Sequence, residues 1–162
     1  MLALGDALAV AMMERKGFSA GDYHRLHPRG QLAQRTLKVL RVADLMHTGA
    51  DIPVTDEAAK MTDVLVDMTK KSYGCIAIVS NGRKLEGIIT DGDLRRNMSG
   101  DILALTAGDV MTRGPKTIRP NILASEAVQV MNENAITNLF VTDGDQVVGV
   151  LHIHDCLRAG VV

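Results

Sequence analysis

The sequence predicts an α/β fold built from one β-α-β-β-α unit used twice. Three observations carry this. Asp44-x-Met46 recurs as Asp109-x-Met111, and Gly87 and Asp93 recur as Gly149 and Asp155. In each copy, apolar residues at helical spacing precede two β-branched runs, which are joined by a tight-turn dipeptide, Asn81-Gly82 and then Asp143-Gly144. At 162 residues the chain makes one compact domain or two very small ones. Each copy alone is too small to bury a core, so the two must pack on each other, related by a pseudo-two-fold axis. Their seam then offers two related clefts, and seams of this kind are where ligands bind.

Leu2 to Met13 is rich in Ala and Leu, with Asp6 alone breaking its apolar surface. Such a segment predicts a helix apolar nearly all round, which belongs inside a larger protein. The chain therefore reads as a C-terminal piece, with residues 1–38 as the remnant of a preceding domain and a linker. Glu14-Arg15-Lys16-Gly17 is a helix stop. His27-Pro28-Arg29-Gly30 is a turn, and a short helix runs on to about Lys38. The two copies occupy 39–100 and 101–162. Ile52-Pro53-Val54 and Lys116-Thr117-Ile118 read as short leading strands. Ala58, Met61, Val64, Leu65 and Met68 give the first helix, and Ala124, Ala127, Val128 and Met131 the second. Cys75 to Val79 and Leu139 to Thr142 are core strands. Leu85 to Ile89 and Gln146 to Leu151 return, and closing helices begin near Asp93 and Asp155.

Composition narrows the function. The chain is 46% apolar and 23% charged, ordinary for a soluble globular protein. A net charge of −1 gives no electrostatic case for nucleic acid or an anionic membrane. With no Trp, two Tyr and two Phe, base-stacking platforms are also missing. No apolar run is long enough to suggest a membrane span. Cys75 and Cys156 both lie in apolar runs and read as buried, reduced thiols of a cytoplasmic protein.

The sharpest local pattern is Gly87-x-x-Thr90-x-x-Asp93. Gly87 lets its strand approach another backbone or a ligand closely. Thr90 at the strand end and Asp93 at the helix start can grip two vicinal hydroxyls, as on a ribose. The alternative is that Asp93 caps its helix and Thr90 bonds locally. His152-x-His154 places two imidazoles at a strand end, with Asp155 as the one obvious third ligand. That is too few for a structural metal, and no metal or cofactor is expected. Lys70-Lys71 and Arg95-Arg96 are either solvated helix surface or, in one member, a counter-charge for a ligand phosphate.

With these residues in place, the repeats resemble a tandem pair of CBS (cystathionine-β-synthase) domains. Gly87-x-x-Thr90-x-x-Asp93 matches that family's ribose-binding pattern fully. The second copy departs from it, with His152 where Thr is expected between Gly149 and Asp155. An imidazole there is suited to an anionic sugar acid. The run from Leu2 to Val10, Gly17-Phe18 and His27-Pro28-Arg29-Gly30 resemble the end of a SIS sugar-isomerase domain. With Asp44 to Gly49, Thr90 to Arg96 and Val150 to Val162, the whole chain resembles the C-terminal part of the bacterial arabinose-5-phosphate isomerase family, of SIS–CBS–CBS architecture.

The resemblance implies a regulatory module in an enzyme that interconverts ribulose 5-phosphate and arabinose 5-phosphate for Kdo and lipopolysaccharide synthesis. It implies His27 as a catalytic residue of the parent enzyme, in a segment where Arg29 stands for a family Gly, and no activity in this piece alone. A nucleotide or nucleotide-sugar ligand would set its ribose on Thr90 and Asp93. Backbone near Val54, Cys75 and Ile76 would hold the base, Arg95 would face phosphate, and His152, His154 and Asp155 would line the second cleft. CMP-Kdo, the end product, is the favoured ligand. An adenine-nucleotide energy sensor and a ligand-free assembly module are the other two readings. The implied assembly is a homodimer of CBS pairs within a homotetramer.

Overall fold

The computed structural model describes residues 12, 15, 40–98 and 100–161. The chain divides into two compact units, Met1–Lys38 and Val39–Val162, and both repeats belong to the second. The helix expected over Leu2 to Met13 (Met12 apart), the turn at His27 and the helix leading to Lys38 lie outside the described residues.

The first repeat runs α1 (Val42–Leu45), β1 (Val54–Thr55), α2 (Met61–Lys71), β2 (Cys75–Ser80), β3 (Lys84–Thr90) and α3 (Asp91–Asn97). The second runs α4 (Ala107–Val110), β4 (Thr112–Arg113), β5 (Thr117–Ile118), α5 (Ala124–Glu133), β6 (Asn138–Asp143), β7 (Gln146–His152) and α6 (Ile153–Arg158). The expected strands and main helices are present. Ala58 falls before α2, and the closing helices begin at Asp91 and Ile153, ahead of the carboxylates expected to start them. Thr90 and His152 take the capping positions instead. α2 stops at Ser72, which adopts a left-handed conformation.

Within each repeat, the short leading strand lies parallel to the core strand, which turns back antiparallel through its hairpin. The hairpins meet at their turn ends, where Lys84 pairs with Gln146, joining the strands in the order β1-β2-β3-β7-β6-β5. β2 is buried along Cys75–Ile78 and β6 along Leu139–Thr142, so each reads as an apolar run and not as an alternation.

The one-turn helices are exchanged. α1 opens the first repeat, yet it buries Val42 among Ile118, Ala127, Met131, Leu139 and Leu151 of the second. α4 opens the second repeat and buries Ala107 and Val110 among Met61, Val64, Ile76 and Ile89 of the first. Backbone bonds fix both exchanges. The Val42 and Ala43 N–H groups donate to Ile122 and Pro120 carbonyls, each at 2.9 Å. The Ala107 and Gly108 N–H groups donate to Ala59 and Glu57 carbonyls at 2.8 and 2.9 Å. Each repeat thus completes the other's core. A third cluster closes the seam, with Ile52, Cys75 and Ala77 against Phe140, Val147 and Val150.

The exchange explains the repeated glycines. The chain leaving α4 crosses β3, pairing Arg113 with Gly87 and Thr112 with Ile88. The chain leaving α1 crosses β7, where His47 and Val150 exchange two bonds of 2.9 and 3.0 Å. A Cβ on Gly87 would lie 2.9 Å from the Thr112 carbonyl oxygen and 2.7 Å from Met111 Sδ. On Gly149 it would lie 3.1 Å from the His47 carbonyl oxygen and 2.7 Å from Met46 Sδ. Both glycines make room for the crossing chain of the other repeat. Met46 and Met111, the repeated methionines, pack directly over them.

Cys75 and Cys156 are free and buried. Among the described residues, no helix is long and apolar enough to cross a membrane.

Gly87→Ala should lower unfolding stability by about 1–3 kcal/mol, because a backbone carbonyl cannot yield as a flexible side chain can. Gly100→Ala, with open space around it, should stay within about 0.5 kcal/mol of the parent. Urea titrations of the two variants check the contrast.

Candidate functional site

Thr90 ends β3 in an extended conformation and caps α3. Its hydroxyl accepts the Asp93 N–H at 3.3 Å, while Asp93 Oδ2 accepts the Thr90 N–H at 2.8 Å and its O–H at 2.6 Å. Asp93 Oδ1 accepts the Thr112 hydroxyl at 2.7 Å and the Arg96 guanidinium. Asp93 is only 4% exposed. Burial works against its charge, but the Thr90, Thr112 and Arg96 donors together hold its carboxyl below the usual carboxylate value. The structure therefore displays the helix-capping arrangement of Thr90 and Asp93, extended by Thr112 reaching in from the other repeat.

Thr90 stands on the wall of a cleft of about 520 Å³, with Asp93 a layer behind it. Four segments meet there. The first repeat contributes Tyr73–Cys75 and the β3–α3 junction from Thr90 to Gly92, with Arg95. The second contributes Thr112, Gly114–Lys116 and the approach to β6, Ala135–Asn138. Ile88 and Phe140 give it apolar surface. Arg95 and Lys116 bring a cation from each repeat, and among the described residues neither forms an ion pair. Asn138 Nδ2 donates to the Tyr73 carbonyl at 2.8 Å, which ties the repeats together at the cleft. Its Oδ1 is buried with no partner among the described residues. Apolar surface flanked by cations and hydroxyls suits a ligand with a flat ring at one end and an anion at the other.

Of the residues expected here, Thr90, Cys75 and Arg95 line the cleft. Val54 and Ile76 do not. Val54 lies on β1 opposite Ala77, and Ile76 is fully buried under α2. Alternation along β2 turns Ile76 onto the α2 face, away from Cys75, and β2 separates Val54 from Thr90 on β3. Burial pushes the Cys75 thiol up to about 12, so it is a wall group and not a nucleophile. Of the basic pairs, Lys70 meets Asp67 at 3.6 Å, Lys71 donates to the Ala50 carbonyl, and Arg96 closes on Asp93. His27 lies outside the described residues.

The second repeat presents the counterpart. His152 caps α6 as Thr90 caps α3, with its Nδ1 accepting the His154 N–H at 3.1 Å. Asp155 takes the place of Asp93, and Arg158 approaches it at 3.5 Å. His47 takes the place of Thr112, its Nε2 3.0 Å from Asp155 Oδ2. His152, His154 and Asp155 are thus brought together, with His47 and Tyr73 added. The Tyr73 ring lies 5.4 Å from that of His47 and 6.4 Å from that of His152. Burial first, then Asp155 and Asp51, raise the Tyr73 phenol. Among the described residues, no group of His, Cys, Asp or Glu is arranged to hold a metal ion. Sequence reading missed His47, Tyr73, Thr112 and Lys116. His47 and Thr112 were within reach, because each follows a repeated methionine.

The CBS domain family model matches residues 42–100 and 107–161. The arabinose 5-phosphate isomerase KdsD of Salmonella typhi is 48% identical over 99% of this chain and 49% of its own length. The chain spans about half the length of the curated relatives it matches. Among solved structures, CBSX2 in complex with AMP covers 74% of this chain and 95% of its own, at 22% identity and a TM-score of 0.65. The CBS domain pair of protein MJ0100, in complex with 5'-methylthioadenosine and S-adenosyl-L-methionine, covers 74% and 94%, at 21% identity and a TM-score of 0.66.

Asp93→Asn should cost about 2 kcal/mol at pH 7, because charged hydrogen bonds become neutral ones. A carboxyl lowered in the folded state stabilises above its unfolded pKa, and that stability is lost as pH falls through the folded one. The gap between the variant and its parent should therefore narrow below about pH 4. Urea unfolding at pH 7 and pH 3 reads it.

Proposed function

The chain belongs to the CBS-domain family, as a tandem pair, and on that premise we propose that it is the regulatory nucleotide-binding module of an arabinose-5-phosphate isomerase. The observation that carries this is the composite cleft, in which Thr90 and Arg95 of one repeat face Thr112 and Lys116 of the other. A ribose hydroxyl would replace Thr112 or the exposed Arg96 on Asp93, Arg95 and Lys116 would take phosphate, and the base would lie on Ile88 and Phe140. An amino-bearing base would also supply the donor that Asn138 Oδ1 lacks.

The favoured ligand is CMP-Kdo. It carries a ribose, an amino-bearing base and an acidic sugar, and the imidazoles beyond Tyr73 suit that acid. As the end product of the route the isomerase feeds, it is the molecule that feedback would read. The isomerase activity, with His27 in it, belongs to the parent enzyme, which we place in the cytoplasm as a homotetramer joined through these modules. Control requires that the ligand bind two states of the enzyme unequally, typically with about 1–3 kcal/mol of coupling. Because the cleft is shared, a ligand in it bears on the arrangement of both repeats.

A second reading, an adenine-nucleotide sensor, is favoured by the same cleft, whose apolar surface has room for a purine. A third is an assembly module with no ligand. Thermal unfolding of the chain with CMP, CMP-Kdo, AMP and ATP separates the three. A ligand at 100 times its dissociation constant adds about 2.7 kcal/mol of stability. We expect a larger shift with CMP-Kdo than with CMP. A shift with AMP or ATP alone replaces this reading with the energy sensor, and no shift with any of the four replaces it with the assembly module.

A further inference from the structure

The surroundings of Asp93 and of its counterpart Asp155 differ in their chemistry. At both positions where the first uses a hydroxyl, Thr90 and Thr112, the second uses an imidazole, His152 and His47. His154 adds a third, its ring 4.8 Å from that of His152. We propose that His47, His152 and His154 form an oxyanion site, for a carboxylate, sulfate or phosphate group, and that filling it draws a proton onto the cluster.

The tautomer of His152 is fixed by its capping bond. Its Nδ1 accepts the His154 N–H, so Nε2 carries the ring hydrogen and is a donor without any added charge. Burial first, then the neighbouring His154, hold His152 below its ordinary value and preserve that arrangement at neutral pH. Protonating Nδ1 would break the capping bond, so the incoming proton belongs on His47 or His154. His154 is exposed, and the His47 side chain is 36% exposed. Among the described residues, the charged groups facing the cluster are Asp155 and Arg158 on α6 and Asp51 in the turn before β1, with the Tyr73 phenol and the Cys75 thiol behind. Asp155 is already engaged by His47 and Arg158. A bound anion adds negative charge beside these imidazoles, which favours their protonated form and takes up protons. Each proton taken up tightens binding by up to tenfold for each unit that pH falls.

This inference rests on the ligand-binding reading only in treating the cluster as part of a binding cleft. Its test is a histidine-resolved NMR titration of the intact chain between pH 8 and pH 5.5. The probes are sulfate and gluconate, neither of which titrates in that range. The expected result is that an anion moves the ring resonances of all three histidines and raises the pKa of His47 or His154, while His152 stays neutral with Nε2 protonated. Affinity should rise as pH falls. A response to gluconate alone selects a carboxylate, and one to sulfate alone a tetrahedral anion. His154→Gln, at an exposed position, should keep the fold and flatten the pH dependence. Ring resonances that neither anion moves, or that move with no rise in pKa, overturn the proposal. If they stay still while a nucleotide stabilises the chain, the nucleotide reading stands and this one falls.

Discussion

The structure depends on the exchange of its two shortest helices. Neither repeat has a complete core, because Val42 sits in the second and Ala107 and Val110 sit in the first. Burying one such valine is worth about 1.5–3 kcal/mol, which is large beside the marginal stability of a chain this size. The exchange also sets the rest of the geometry. It takes the chain across β3 at Gly87 and across β7 at Gly149, places Met111 and Met46 over those glycines, and delivers Thr112 and His47 to the carboxylates of Asp93 and Asp155. One topological fact thus accounts for the duplicated methionine, the duplicated glycine and the position of the duplicated aspartate.

The composite cleft follows from the same crossing. A cleft built inside one repeat would report only on that repeat. This one has Thr90 and Arg95 on one side and Thr112 and Lys116 on the other, so whatever fills it bridges both. The duplication is not exact where it matters. The partners of Asp93 are hydroxyls, Thr90 and Thr112, whereas imidazoles, His152 and His47, take the matching positions by Asp155.

Much of the fold was legible in the sequence. Cys75 to Val79 and Leu139 to Thr142 are β-branched runs bounded by Asn-Gly and Asp-Gly, and they fold as the two core hairpins. Ala124, Ala127, Val128 and Met131 share the buried face of α5. The one-turn helices were not legible, since four residues carry no periodicity, and neither was the two-residue β4. Val54 and Ile76 were expected at a cleft to which the second repeat contributes Lys116 and Asn138 instead. Local motifs such as Thr90-x-x-Asp93 and His152-x-His154 were visible because their partners are close in sequence. His47 and Asp155 meet from opposite ends of the module, and spacing alone cannot announce that pairing.

The most direct test is backbone hydrogen exchange of the intact chain with and without CMP-Kdo. The composite cleft predicts slowed exchange in both repeats together, at Thr90 to Gly92 and, across the seam, at Thr112 to Lys116 and Ala135 to Asn138. Slowing confined to one repeat, or none at a ligand concentration that saturates any measurable binding, would contradict it.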